Sequence, residues 1–219
     1  MISGEELKIR QRAIRDQFAD NEFGIRVHRA ISWIRRSEQE ADDPDARFIF
    51  LWIGFNALYA RKSEFGATAS ELYRMESRFR DIVGFDSEKR LYDAIWVALW
   101  DPCRNLLDNE YAFEPRWRWE GGDPEAADWQ EDFEREKKKV HRALQGGDTV
   151  AILRTLFRRL YCVRNQLFHG NATFGGDKNR SQIGDGAKIL GALLPLVVDI
   201  MMTNHAHDWG RIQYPPVDS

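Results

Sequence analysis

The residue types best suited to chemistry sit together in one stretch, GGDTVAILRTLFRRLYCVRNQLFHGN, which places Arg164, Asn165 and His169 close to one another. Asp148 after the glycine pair is a suitable N-cap and Gly170 a suitable residue just past a C-terminus, so one helix of about six turns should end at His169. Its apolar stripe is Leu153, Leu156, Phe157, Leu160, Val163 and Leu167. Arg164 falls on the edge of that stripe. A permanent charge there needs a partner, because burying it unpaired is very costly. The plain reading of the sequence gives it a carboxylate on a neighbouring helix. Asn165 and His169 are spaced i, i+4 and share a face. Arg154, Arg158 and Cys162 lie near the same face, making a polar, basic ridge that ends in a histidine. Such a ridge suits a solvated helix face. Two details suit anion chemistry instead. His169 occupies the last turn, where carbonyl dipoles favour an imidazolium. The loop that follows, GNATFGGDKNR, has the glycine and amide content to bring backbone N–H groups close to a phosphodiester.

The run Arg164-Asn165-Gln166-Leu167-Phe168-His169 resembles the R-polar-x3-H form of the motif that marks the HEPN superfamily of helical domains. The likeness extends to YCVRNQLFHGNATFGGDKNR followed by GAKILGALLPLVVDIMM, similar to the last two helices of such domains, and to LWIGFNALYA, similar to their central apolar helix. It covers roughly residues 44–205. The resemblance implies an all-α helical bundle that dimerises through its motif helices, with two copies building one composite cleft. It also implies a metal-independent endoribonuclease without a cofactor, of the kind used as a toxin or defence effector and restrained by an antitoxin or other protein partner. The same superfamily includes non-catalytic modules that bind nucleotides, RNA or protein. Carried over by position, Arg164 would contact the scissile phosphate, His169 would transfer protons, and Asn165 would orient His169 or the phosphate. Arg158 on the ridge, with Lys178 and Arg180 in the following loop, would extend the basic rim of an RNA cleft or form ordinary polar surface.

The elements that must position these groups are helical. Periodicity predicts helices at about 4–19, 22–38, from Pro44 through FIFLWIGFNALYARK, and at about 69–82, 87–107, 126–144, 148–169 and 184–204. That gives a bundle of about seven to eight helices in a single domain, 1–219. Within it, residues 44–205 would form the core, 1–43 a helical N-terminal extension and 208–219 an extended tail ending in YPPVDS. Asp42 and Asp43 are both placed to cap the helix at Pro44. The segment EPRWRWEGGDPEA reads as an ordered connector.

Composition narrows the function classes. A net charge of −3 excludes wholesale electrostatic coating of nucleic acid, so any such site must be local. Cys103 and Cys162 are the only cysteines and lack CxxC spacing, which excludes a cysteine-rich zinc site and fits a reducing cytosol. The N-terminal charges from residue 5 onward do not suit a signal peptide, and Phe48–Ala60 is too short to span a bilayer, so a cytoplasmic location without membrane attachment is expected. His205-x-His207 with Asp208 lacks a further ligand at metal-site spacing. His28 and His141 read as lone surface residues on charged helices. Trp117 and Trp119, alternating with Arg116 and Arg118, suit packing of the connector better than stacking of bases.

Overall fold

A computed structural model describes residues 2–18, 21–60, 71–177 and 180–215, with the side chains of residues 71, 72 and 74 excepted. The described residues are all-helical, with ten α-helices and no strand. The excess over the expected seven or eight comes from short elements. The expected helix at about 87–107 is interrupted: α5 (Arg90–Asp93) passes through a π-turn (Ala94–Ala98) into α6 (Trp100–Leu107). Pro102 explains the break. In a continuous helix its ring would collide with the carbonyl of Ala98; the chain instead passes through a π-turn, in which the Leu99 N–H donates to Ala94 O at 3.0 Å. The expected connector at 114–126 is instead α7 (Glu114–Glu120) and a 3-10 turn (Pro124–Ala126).

The chain divides into two compact units, Met1–Arg90 with Leu190–Ser219, and Leu91–Ile189. The division falls inside the 44–205 segment and within α10 (Arg180–Thr203), which contributes residues to both. By length and composition α10 could cross a membrane, and 78% of its most apolar window is buried within the protein.

In the first unit, α1 (Gly4–Ile14), α2 (Asn21–Glu38) and α3 (Pro44–Tyr59) pack in sequence, and α4 (Glu71–Phe85) joins α3. A capping box starts α1, with Ser3 Oγ accepting from Glu6 N and Glu6 Oε2 accepting from Ser3 N at 2.7 Å. Gly4 is required by close approach, since a Cβ there would lie 2.5 Å from Arg35 Cγ on α2. Asp43 is the cap of α3, its carboxylate accepting from Ala46 N at 3.0 Å. The apolar α3 is buried through Phe48, Leu51, Trp52, Phe55, Leu58 and Tyr59. Its last carbonyls are met by Arg26 of α2, which is fully buried and donates to Leu58 O, Ala60 O at 3.1 Å and, from its other amino group, Gly210 O at 2.9 Å. A guanidinium at a helix C-terminus satisfies orphan carbonyls and the dipole together. The non-helical tail is held down by the buried Trp209 and Ile212. Asp199 of α10 is buried between Arg10 and Arg90, the latter at 2.6 Å.

In the second unit, α8 (Trp129–Gly146) and α9 (Thr149–Phe168) form a helical hairpin, and α6 and the 3-10 turn Glu110–Ala112 pack on α9. Gly147, at φ 71°, makes the reversal. Arg159 of α9 is 2% exposed, packs against the rings of Phe113 and Phe133, and meets Glu136 of α8 at 2.7 Å. His141 is not alone, because its Nε2 lies 3.3 Å from Asp108, which also faces Lys137 at 3.6 Å. The Arg159–Glu136 pair makes a direct test of the hairpin. Glu136→Ala strands a buried guanidinium and should cost about 3 kcal/mol in urea unfolding, whereas the Glu136→Leu/Arg159→Leu double variant should recover most of that loss.

Candidate functional site

Helix α9 begins and ends where its sequence indicates. Asp148 accepts from Ala151 N at 3.0 Å. At the other end Asn171 N donates to Gln166 O at 2.8 Å and Gly170 N to Leu167 O at 3.2 Å, with Gly170 at φ 72°. This is a Schellman closure, and it leaves His169 as the C-cap residue with its side chain exposed.

The buried arc of α9 is wider than the expected stripe. It includes Arg159, Cys162 and Gln166, and leaves Leu167 half-buried. Cys162 therefore faces inward and is not part of the polar ridge; burial pushes its thiol up to about 11, and that of Cys103 to about 12. Gln166, inside the motif itself, is the residue sequence reasoning missed. Its Nε2 donates to Tyr111 O at 2.7 Å, and its Oε1 accepts from Gln182 Nε2 at 2.8 Å. Gln182 Oε1 in turn accepts from Asn109 Nδ2 at 3.2 Å. The available signal was position, since Gln166 follows Val163 by three and so continues the inward face.

With Gln166 turned in, Arg164 and Asn165 stand half-buried and His169 exposed. Arg164 lies with its guanidinium 4.7 Å from the Phe168 ring centroid and 5.7 Å from that of Tyr161. Its Nη1 donates to Asn165 Oδ1 at 2.9 Å. Among the described residues no carboxylate pairs with it, and its Nε is buried without a hydrogen-bond partner. The hydrogen bond formed within the cluster is thus Arg164–Asn165, rather than the Asn165–His169 contact that spacing allows. A guanidinium stacked on rings keeps donors free for an anion while its charge is partly balanced by the aromatic faces.

Beyond the helix, Phe174 is 77% exposed and Phe168 45% exposed. Arg180 Nε donates to Gly176 O at 3.1 Å, holding the start of α10 to the loop. Lys178 lies outside the described residues. Arg158 is exposed on α9 with Nη1 3.8 Å from Glu136. Arg116 and Arg118 are both taken up by carboxylates, Glu110 for the first and Asp123, at 2.5 Å, for the second. Trp117 Nε1 donates to Tyr111 O at 2.8 Å, so the Trp/Arg segment packs on its own unit. His207 faces Asp81 at 3.8 Å and the rings of Phe85 and Trp209, whereas His205 lies beside Phe18.

No family model, curated protein or solved structure matches the chain.

Two outcomes follow from the site's inward face. Gln166→Leu removes one of the two donors to Tyr111 O and the acceptor of the buried Gln182 Nε2, and should lower stability by about 2 kcal/mol, read by chemical unfolding. Both thiols should stay unreactive to an aromatic disulfide reagent in the folded protein at pH 8 and react fully in denaturant, because each titrates well above its ordinary value when folded.

Proposed function

We propose that the chain is a metal-independent endoribonuclease of HEPN type that acts in the cytosol as a homodimer. Its setting is that of a toxin or defence effector restrained by a protein partner. The observation that carries this reading is Arg164, a half-buried guanidinium supported by two rings, with no carboxylate partner among the described residues, five positions before an exposed His169 at a helix end. The exposed ring of Phe168 beside it, and that of Phe174 in the following loop, are apolar surface of the kind a second chain covers.

In the proposed reaction the 2′-oxygen attacks the adjacent phosphorus and the P–O5′ bond breaks. The products carry a 2′,3′-cyclic phosphate and a 5′-hydroxyl. His169 of one chain would take the 2′-OH proton, and its counterpart in the partner chain would supply a proton to the leaving 5′-oxygen. Arg164 would stabilise the charge that grows on the phosphoryl oxygens. A specific observation favours the other reading, a non-catalytic dimeric module for a nucleotide, RNA or protein. Asn165 is engaged by Arg164, so among the described residues nothing orients the His169 ring.

RNA incubated with the protein and a chelator separates the two. Cleavage with cyclic-phosphate ends should appear and fall at least 100-fold in His169→Ala, which removes an exposed side chain and should leave the melting temperature unchanged. Arg164→Lys, which keeps the charge but loses the planar fork, should be similarly inactive. RNA that is bound but never cut would establish the non-catalytic module instead.

A further inference from the structure

The hairpin of α8 and α9 carries a groove of about 420 Å³ that the motif does not use. Arg154, Thr155 and Arg158 line it from α9, and Arg135 and Lys139 from α8. Two acidic residues, Asp132 and Glu136, also reach it, but each is already engaged. Asp132 pairs with Arg135, and Glu136 holds the buried Arg159 at 2.7 Å and also lies 3.8 Å from Arg158, which leaves Arg154 and Lys139 as the cations that carry the argument. The remaining charge is positive, in a chain whose net charge is −3. Arg154 is half-buried there; its Nε is buried and has no hydrogen-bond partner, and among the described residues it pairs with no carboxylate. A cation held at the wall of an open groove in this way lacks a counter-charge.

Register ties the groove to the helix end. Positions 154, 158, 165 and 169 recur at spacings of four, seven and four, which keeps them on one face of α9. A strand lying along that face would leave Arg154, pass Arg158 one turn later and reach His169 about 22 Å from its start.

We propose that this groove is a phosphate track for single-stranded RNA, holding the sugar-phosphate backbone at a distance from the cleavage site. The inference rests on the ribonuclease reading for its choice of polyanion. It makes the substrate a strand long enough to span both places, held through its charge rather than its sequence.

The test uses the full chain and a 2′-O-methyl oligoribonucleotide of about 12 residues, long enough to cover both places and unable to be cut. Anisotropy titrations over a salt series compare the wild type with Lys139→Gln/Arg154→Gln, and with Lys138→Gln as an exposed control outside the groove. Melting temperatures establish that each variant is folded. The double variant should bind at least tenfold more weakly at low salt. Its slope of log affinity against log salt should be shallower by about 0.7 for each charge removed. The control should keep the wild-type salt slope and lose less than twofold in affinity. Unchanged affinity and slope in the double variant would overturn the track, whatever the protein cleaves. Weakened binding in the double variant, in a protein that cuts no RNA, would uphold the track while removing the nuclease reading.

Discussion

The orientation of the second unit's central helix depends on one buried amide. Gln166 cannot be left unpaired in an apolar setting, and the groups that satisfy it, Tyr111 O and the Gln182 side chain, come from elements far apart in sequence. Because a helix is rigid about its axis, fixing position 166 inward fixes its neighbours. Arg164 and Asn165 are carried to the boundary and His169 to the surface. The polar core thus sets which way the motif faces, and the apolar stripe alone would leave that rotation less sharply determined.

Buried charge is handled differently at each place it occurs. Arg26 is met by backbone carbonyls at a helix end. Arg159 has a carboxylate on one side and rings on the other; desolvation pulls its guanidinium below the ordinary value while Glu136 opposes the shift. Asp199 reverses the arrangement, a buried carboxylate between Arg10 and Arg90. Arg164 and Arg154 differ in having neither a carboxylate nor a set of backbone carbonyls as partners among the described residues. Arg26 and Arg159 have their charge answered locally, and that contrast sets Arg164 and Arg154 apart from them.

Much of the architecture was legible in the residues. Local chemistry set the ends of α9, because Asp148 caps and Gly170 accepts a left-handed turn without long-range help. The apolar run of α3 and the all-helical character followed from periodicity for the same reason. What was not legible depended on partners distant in sequence. Nothing near Gln166 announces Gln182 or Tyr111, and nothing near His141 announces Asp108. The break before α6 was readable in principle, since Pro102 forbids a continuous helix from 90 to 107, but its resolution as a π-turn depends on the wider packing. At the motif, spacing paired Asn165 with His169, whereas the long reach of an arginine side chain joined Arg164 to Asn165 instead.

The carbonyl of Tyr111 has two lone pairs, and two strong donors take them: Gln166 of α9 at 2.7 Å and Trp117 of α7 at 2.8 Å. One atom in a three-residue turn is therefore a shared anchor for two helices. Neither can fray at that point as an independent event, because loosening the turn deprives both of a partner at once. A change that displaced that turn would reach the end of α9 and the short aromatic helix together, which ties the exposed tryptophans of α7 to the helix that bears Arg164.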